Sequence, residues 1–271
     1  YAFDGMMVTK NGSNVNITGG TTTNIQGASK TAEELKQASG FPEALRNSPW
    51  RYTTGGLPVL TYGAGELIHG QDGAMPSYIG GENYFSGGDG SPESPYLILT
   101  AHQLAKLAEL VNSNQGNYRS CHYKLLDDID ISAYSNSGGW TPIGKTGAPF
   151  SGSFNGDGRI IRGLWIDRVD TGVENQGLFG YIKEATIENL GMTEVDIRGN
   201  TKVGGLVGLA EASTIQYCYV SGNVYTFNKG GGLAGRIVST RIISCYTSGS
   251  SQGYSNIGGI VGEVDGNSLT Y

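Results

Sequence analysis

Four glycine-bracketed tetrapeptides recur along the last third of the chain: Gly177-Leu178-Phe179-Gly180, Gly205-Leu206-Val207-Gly208, Gly232-Leu233-Ala234-Gly235 and Gly259-Ile260-Val261-Gly262. Their first glycines lie 28, 27 and 27 residues apart (177 to 205, to 232, to 259). A fixed period of this size marks an array of stacked units, none of which can bury a core alone. The repeat therefore constrains architecture strongly and chemistry weakly.

Aligning the tetrapeptides brings other positions into register. Nine residues after each central Leu or Ile stands another apolar residue: Ile187, Ile215, Ile242 and Leu269. Leu190, Cys218 and Cys245 follow three residues on, then Met192, Val220 and Thr247. A degenerate earlier unit runs from Pro149-Phe150-Ser151-Gly152-Ser153-Phe154 to Ile161 and Leu164, which lie 26 residues before Ile187 and Leu190. Strands rising about 3.3 Å per residue and broken by glycine turns make such a unit one coil of two or three strands, with like residues stacked about 4.8 Å apart. The expectation is a parallel β-helix of about 27 residues per coil, in which Leu178, Leu206, Leu233 and Ile260 form one inward ladder and the bracketing glycines bend the backbone at a corner. Cys218 and Cys245 share a rung. A disulfide is the alternative, but parallel Cβ vectors suit its geometry badly, so a reduced, buried stack is expected.

Composition agrees with a turn-rich β protein: 45 glycines, 16 tyrosines and only 15% charged residues in 271. Eight prolines and no Gly-X-Y period exclude collagen. A net charge of −6 without a basic run argues against a nucleic-acid partner. No apolar stretch approaches the ~18 residues that would read as a transmembrane segment. The three cysteines, Cys121, Cys218 and Cys245, form neither a CxxC nor a zinc pattern.

Upstream, Thr100-Ala101-His102-Gln103 has the form of a capping box, and Leu104, Leu107, Ala108 and Val111 recur at helical spacing; a helix is expected over 100–112. Coils should then run from about 123 to 271, in a module spanning 93–271. Residues 61–92, with Gly80-Gly81, Gly87-Gly88 and Asp89-Gly90, read as a Gly-rich linker or loops. Residues 1–60 read as the closing tail of a similar module, with a second capping box at Thr31-Ala32-Glu33-Glu34 opening a short helix to about Ala38, then strands near Trp50 and Leu57-Pro58-Val59-Leu60. In the register above, residue 272 would match Cys245, and Tyr1-Ala2 would suit the position just past it. The chain is accordingly expected to be a slice of a longer array.

The tetrapeptides, together with Pro95-Tyr96-Leu97-Ile98, Asp128-Ile129-Asp130, Trp140-Thr141-Pro142-Ile143-Gly144 and Pro149-Phe150-Ser151-Gly152-Ser153-Phe154-Asn155-Gly156, resemble GLUG-repeat proteins, large bacterial surface and secreted proteins that include adhesins and the non-catalytic regions of IgA-specific metallopeptidases. The resemblance covers about 95–271. It implies a β-helical surface protein, and with the chirality of parallel crossovers it implies a right-handed coil. The peptidases need His-Glu-x-x-His; His69, His102 and His122 are each followed by another residue, so no protease chemistry is expected.

Other candidate chemistry is weaker. Asp127, Asp128 and Asp130 could hold Ca²⁺ but lack the loop glycine and further spaced ligands; a turn role is preferred, as it is for Asn155-Gly156-Asp157-Gly158. No metal, cofactor or catalytic residue is implied. A glycosidase or lyase would need facing carboxylates, yet Glu184 aligns with Ala212 and Glu188 with Gln216. The best binding hint is aromatic: Cys218 and Val220 point inward, so Tyr219 should point out, with Tyr246 one rung above and Tyr217, Tyr225 and Tyr254 nearby. The alternative is that these rings only stabilise the sheet. The expected function is a non-enzymatic, adhesin-like module at the bacterial outer surface or secreted, binding a host or matrix glycan or protein through these tyrosines, or acting as a stalk. A carbohydrate-processing β-helix enzyme is the alternative.

Overall fold

The structure, a computed structural model, describes residues 84–270 apart from Asp170 and Thr171, together with the strand backbones within 1–83. The chain divides into two compact units, Tyr1–Ser86 and Gly87–Tyr271. In the first, Ala2–Phe3 pairs in parallel with Ser29–Lys30, Met7–Lys10 forms a hairpin with Ser13–Asn16, and Trp50–Arg51, Val59–Tyr62 and Gly65–Ile68 make a three-stranded antiparallel sheet. Gly65–Ile68 falls inside the span read from sequence as a linker. The helix expected near 31–38 lies outside the described residues.

The second unit is a parallel β-solenoid of about six turns. Three sheets run along it, and every pairing between their strands is parallel. One sheet stacks seven short strands, from Tyr96–Ile98 through His122–Leu125, Ser153–Asn155, Thr186–Glu188, Thr214–Gln216 and Arg241–Ile243 to Leu269–Thr270. A second stacks Phe179–Lys183, Val207–Glu211, Ala234–Val238 and Val261–Asp265. The third is built on three long strands, Gly191–Gly204, Tyr219–Gly231 and Tyr246–Gly258.

Inward positions form apolar ladders. Tyr123, Phe154, Ile187, Ile215 and Ile242 are successive partners on the first sheet, all buried. Leu178, Leu206 and Leu233 are fully buried and joined to Ile260 rung by rung through backbone hydrogen bonds, with Ile143 starting the row. Each such side chain contributes about 1.5–3 kcal/mol by burial. The ladders turn polar or exposed on the last coil, where Thr247 follows Val220 and Val264 follows Ile237.

The first glycine and the Leu or Ile after it form the bend between the third and second sheets in every motif, as expected, but the glycines do so without a left-handed φ. The left-handed region is occupied instead by columns of non-glycine residues: Asn175, Lys202, Lys229 and Asn256 just before the glycine bend, Glu184, Ala212 and Ser239 at a second corner, and Asn189, Tyr217 and Ser244 at a third, all with φ between 47° and 60°. Successive members of each column lie 27 or 28 residues apart. What the glycines supply is absence of a side chain where coils touch. A Cβ on Gly208 would fall 2.5 Å from the Asn175 backbone, and one on Gly235 would fall 2.4 Å from that of Lys202. Gly208 and Gly235 thus pack against the left-handed residue of the coil before them.

Register differs from a constant period at three places. The single 28-residue spacing reflects a bulge: Met192 pairs with Val220 but Val195 with Gly222, and the extra residue, Glu194, has φ 55°. The earlier coil is longer than expected, so Ile161 pairs with Met192 and Phe154 with Ile187; the alignment of Ile161 with Ile187 does not hold. Its surplus lies in the Asp157-Gly158 turn and in residues 168–175. On the last coil Ile242 pairs with Thr270 and Arg241 with Leu269, one residue out from the expected match of Leu269 to Ile242.

Thr100 caps helix α1, Ala101–Asn112, with the reciprocal Gln103 bonds of a capping box. Leu104, Leu107, Leu110 and Val111 are buried, and Asn112 Nδ2 donates to the Pro142 carbonyl at 2.9 Å. The helix is thereby fastened to the first coil.

Candidate binding face

The three long strands put alternate side chains on the solvent side of one sheet. Tyr219 and Tyr246 are partners there, and their rings stack with centroids 5.2 Å apart and planes 8° apart. On the other side the Tyr219 ring covers Gly191, where a Cβ would meet it at 2.5 Å. Tyr246, at 59% exposure, offers the free face of this stack. Tyr217 is exposed too, but it occupies a corner column and makes no ring contact among the described residues. The structure therefore joins Tyr219 with Tyr246 and leaves Tyr217 apart.

Six residues further along the same strand, about 20 Å away at strand rise, stands a second aromatic group. Phe227 stacks on Tyr254 at 5.7 Å and 24°, and Tyr225 meets Phe227 edge-on at 6.2 Å. The Arg198 guanidinium lies 5.5 Å from the centre of the Tyr225 ring, in cation–π range. Tyr254 is 82% exposed. Between the groups runs a polar strip in which Asp196, Asn223 and Ser250 share a row and Ser250 Oγ donates to Asn223 Oδ1 at 2.7 Å. Arg198 and Phe227 did not figure in the sequence reading, although Arg198 precedes Tyr225, and Phe227 precedes Tyr254, by the same 27 residues.

The remaining polar groups serve the coil. On the four-stranded sheet Arg236 contacts Glu263 at 3.0 Å and Asp265 at 2.5 Å, and Lys229 reaches Glu263 at 2.9 Å. The Arg236 bond holds the Asp265 carboxyl below its usual range. Tyr181 donates to Glu211 at 2.7 Å; burial first, then this bond, pushes its pKa up to about 12. Asp127 and Asp128 accept backbone N–H groups, Asp130 accepts from Ser132 and pairs with Arg162, and Asp157 pairs with Lys124, so these carboxylates are turn and ladder partners. Glu188 bridges Asn155 and Gln216. Ser153 Oγ lies 2.6 Å from His122 Nδ1, but among the described residues no carboxylate orients this histidine as a catalytic base requires. Cys218 and Cys245 are free thiols on one rung, Cys218 buried and its N–H directed at Cys245 Sγ at 3.4 Å.

Fold and surface together define a parallel β-solenoid with an aromatic and polar outer strip. Residues 199–225, one full coil from Gly199 to Tyr225, match the family model described as the GLUG motif, so the chain carries that motif. It is 41% identical over 114 residues to a protein of Evansella cellulosilytica named "Putative Gly-rich membrane protein", covering 40% of this chain and 12% of that one. It is 32% identical over 146 residues to halomucin of Haloquadratum walsbyi, covering 51% of this chain and 2% of the relative. The chain thus spans a small part of the length of both. Among solved structures it is similar to one described as a "putative immunoglobulin A1 protease" from Bacteroides ovatus, with a TM-score of 0.41 and 19% identity over 69% of this chain and 67% of that one. Among the described residues no helix is long and apolar enough to cross a membrane.

Proposed function

We propose that this chain is a non-enzymatic module of a cell-surface or secreted protein, and that the outer strip on strands 191–204, 219–231 and 246–258 is an adhesin-like face for a glycan or protein partner. One observation carries the reading: two ring stacks, each ending in an exposed tyrosine, flank a row of carboxylate, amide and hydroxyl groups from Asp196, Asn223 and Ser250 on one sheet face. Rings supply apolar area at low entropic cost while the amides and hydroxyls between them fix orientation. The names of the relatives, a Gly-rich membrane protein and a halomucin, support placement at the cell surface.

The alternative, a carbohydrate-processing enzyme, is the weaker reading. A glycosidase needs two carboxylates free to face a substrate. Asp130, Asp157, Glu188, Glu211 and Asp265 are engaged by cations, amides or a phenol, which leaves exposed carboxylates such as Asp167 and Asp196 as those such an enzyme would have to use. The test is a glycan and matrix-protein array probed with the whole chain and with the Tyr246→Ala/Tyr254→Ala variant. Selective signals that the variant loses support the reading. Release of reducing sugar from any polysaccharide would favour the enzyme.

A further inference from the structure

Helix α1 and the loop after Ile131 enclose a groove of about 640 Å³, remote in sequence from the aromatic strip. We propose that it is a saccharide-binding site, taking a short oligosaccharide with one sugar ring packed on Tyr134. The site goes beyond the sheet-face reading and does not depend on it.

The helix wall is formed by Ala105, Ala108, Glu109 and Asn112, spaced as one helical stripe. Two of these four are alanines, and their small side chains leave the space open. The opposite wall is Tyr134, Asn136 and Ser137, with Gly139, Trp140 and Thr141 along the base. Tyr134 is half-buried and stands edge-on to Trp140 at 5.5 Å and 78°. Trp140 is buried, and its indole N–H is already used, donating to the Leu178 carbonyl at 3.1 Å. The indole therefore braces the phenol ring, which borders the space.

This wall is held in place before any ligand arrives. Gly139 donates to the Asn136 carbonyl and Trp140 to that of Trp165, both at 2.9 Å. Gly139 adopts φ 88°, and a Cβ there would fall 2.1 Å from the Trp165 carbonyl oxygen. Arg168 braces the same loop, donating to Gly139 O at 3.2 Å and Gln176 Oε1 at 3.1 Å. Such preorganisation lowers the ordering cost of binding.

The lining chemistry selects the ligand class. Glu109 is paired with Lys106 at 2.8 Å and Arg168 is committed to the loop, leaving Lys145 at the rim as an ammonium with no partner among the described residues. That set is too poor in free charge for a phosphate ligand. It is also too rich in amides and hydroxyls for a lipid tail. The Tyr134 hydroxyl makes no hydrogen bond among the described residues, and exposed Asn136, Ser137 and Thr141 add amide and hydroxyl groups to the same lining. An aromatic ring beside exposed amides and hydroxyls is complementary to a sugar, whose C–H face stacks on the ring while its hydroxyls bond amides. Lys145 adds a place for a uronate carboxylate.

The test is titration of the whole chain with maltotriose, cellotriose, mannotriose, chitotriose and tri-galacturonate, followed by amide chemical shifts. At least one trisaccharide should shift the resonances of Ala105, Tyr134 and Thr141. Tyr134→Ala should weaken that binding roughly tenfold. Ala105→Trp, which fills the groove without removing a polar contact, should abolish it, with the fold of both variants checked by circular dichroism. Loss of tri-galacturonate binding in Lys145→Ala would identify the acidic class; neutral trisaccharide binding unchanged in that variant would identify the neutral one. Tyr246→Ala/Tyr254→Ala should bind as the parent does. No shift at 10 mM (about the weakest affinity worth assigning to a site) would overturn the proposal. So would shifts that persist in Tyr134→Ala and Ala105→Trp, or that disappear only in the sheet-face variant.

Discussion

The ring of Tyr219 lies between the backbone of Gly191 and the ring of Tyr246, which is tilted 8° from it at 5.2 Å. Three consecutive coils thus contribute to one stack: a glycine that makes room, a tyrosine that fills it, and a second tyrosine that presents its outer side to solvent. Gly191→Ala places a methyl group 2.5 Å from the Tyr219 ring. The ring end can move, so the expected cost is about 1 kcal/mol. Loss of the Tyr219–Tyr246 contact should appear as changed ring-proton shifts for both tyrosines.

The account of the bracketing glycines makes a sharper prediction. Gly235→Ala forces a Cβ to 2.4 Å from the Lys202 backbone, and backbone cannot yield as a side-chain end does. A loss of about 3 kcal/mol is expected, or roughly 10 °C in Tm. Gly259 belongs to the same motif but has no atom within 4 Å of the added position. Gly259→Ala should change Tm by no more than a degree or two. Equal effects of the two substitutions in thermal unfolding would contradict the packing role.

Left-handed corners carried by ordinary residues are strained, at roughly 1–2 kcal/mol each. Ala212 has φ 47° and an exposed side chain, so little packing is lost with its methyl group. Ala212→Gly should therefore raise Tm by about 2–4 °C. Ala212→Val should lower it, and thermal unfolding of both variants checks the sign.

The thiol pair should titrate asymmetrically. Cys245 accepts from the Cys218 side chain and N–H, which lower its pKa to about 7, whereas Cys218 is held up by that same side-chain bond and by burial. Iodoacetamide labelling of the native chain should modify Cys245 with a midpoint near pH 7 and leave Cys218 unmodified until unfolding. Cys245→Ser should remove the neutral-pH phase. Modification of Cys218 first would contradict the geometry.

Tyr181 sets an alkaline limit. Its folded pKa, about 12, is raised above the ordinary value of 10.0, so its protonated form is favoured by folding. The stabilisation is whole below pH 10.0 and is lost as pH rises through about 12. Ultraviolet titration should show a late phenolate that is missing from Tyr181→Phe, and the variant's stability should fall less between these pH values.

Much of the solenoid is legible in sequence because its ladders repeat chemistry at a fixed interval. Ile187, Ile215 and Ile242 declare one another, as do Cys218 and Cys245. The spacing of 28 before the two of 27 already contains the bulge at Glu194, but a one-residue excess does not say where in a coil it sits. The glycine bend between sheets is legible, but the packing role of Gly208 and Gly235 is not, because conformational freedom and small size leave the same letter in a sequence and only the proximity of Lys202 to Gly235 reveals the second. The partners of Ile161 were lost to two short insertions, which shift register without altering the ladder residues themselves. On the outer face the tyrosines repeat by type, whereas Arg198 and Phe227 each share the 27-residue interval with a tyrosine and so break the like-with-like pattern that makes a ladder legible. The groove beside Tyr134 depends on contacts between a helix and a loop that no periodicity records.

The most direct test of the central claim is the affinity of the strongest array ligand for the parent chain and for Tyr246→Ala/Tyr254→Ala, measured by biolayer interferometry after circular dichroism has shown both folded. Loss of two exposed rings should weaken binding at least about fivefold, at about 0.5–1.5 kcal/mol for each. Affinity unchanged within twofold would contradict the assignment of binding to this face.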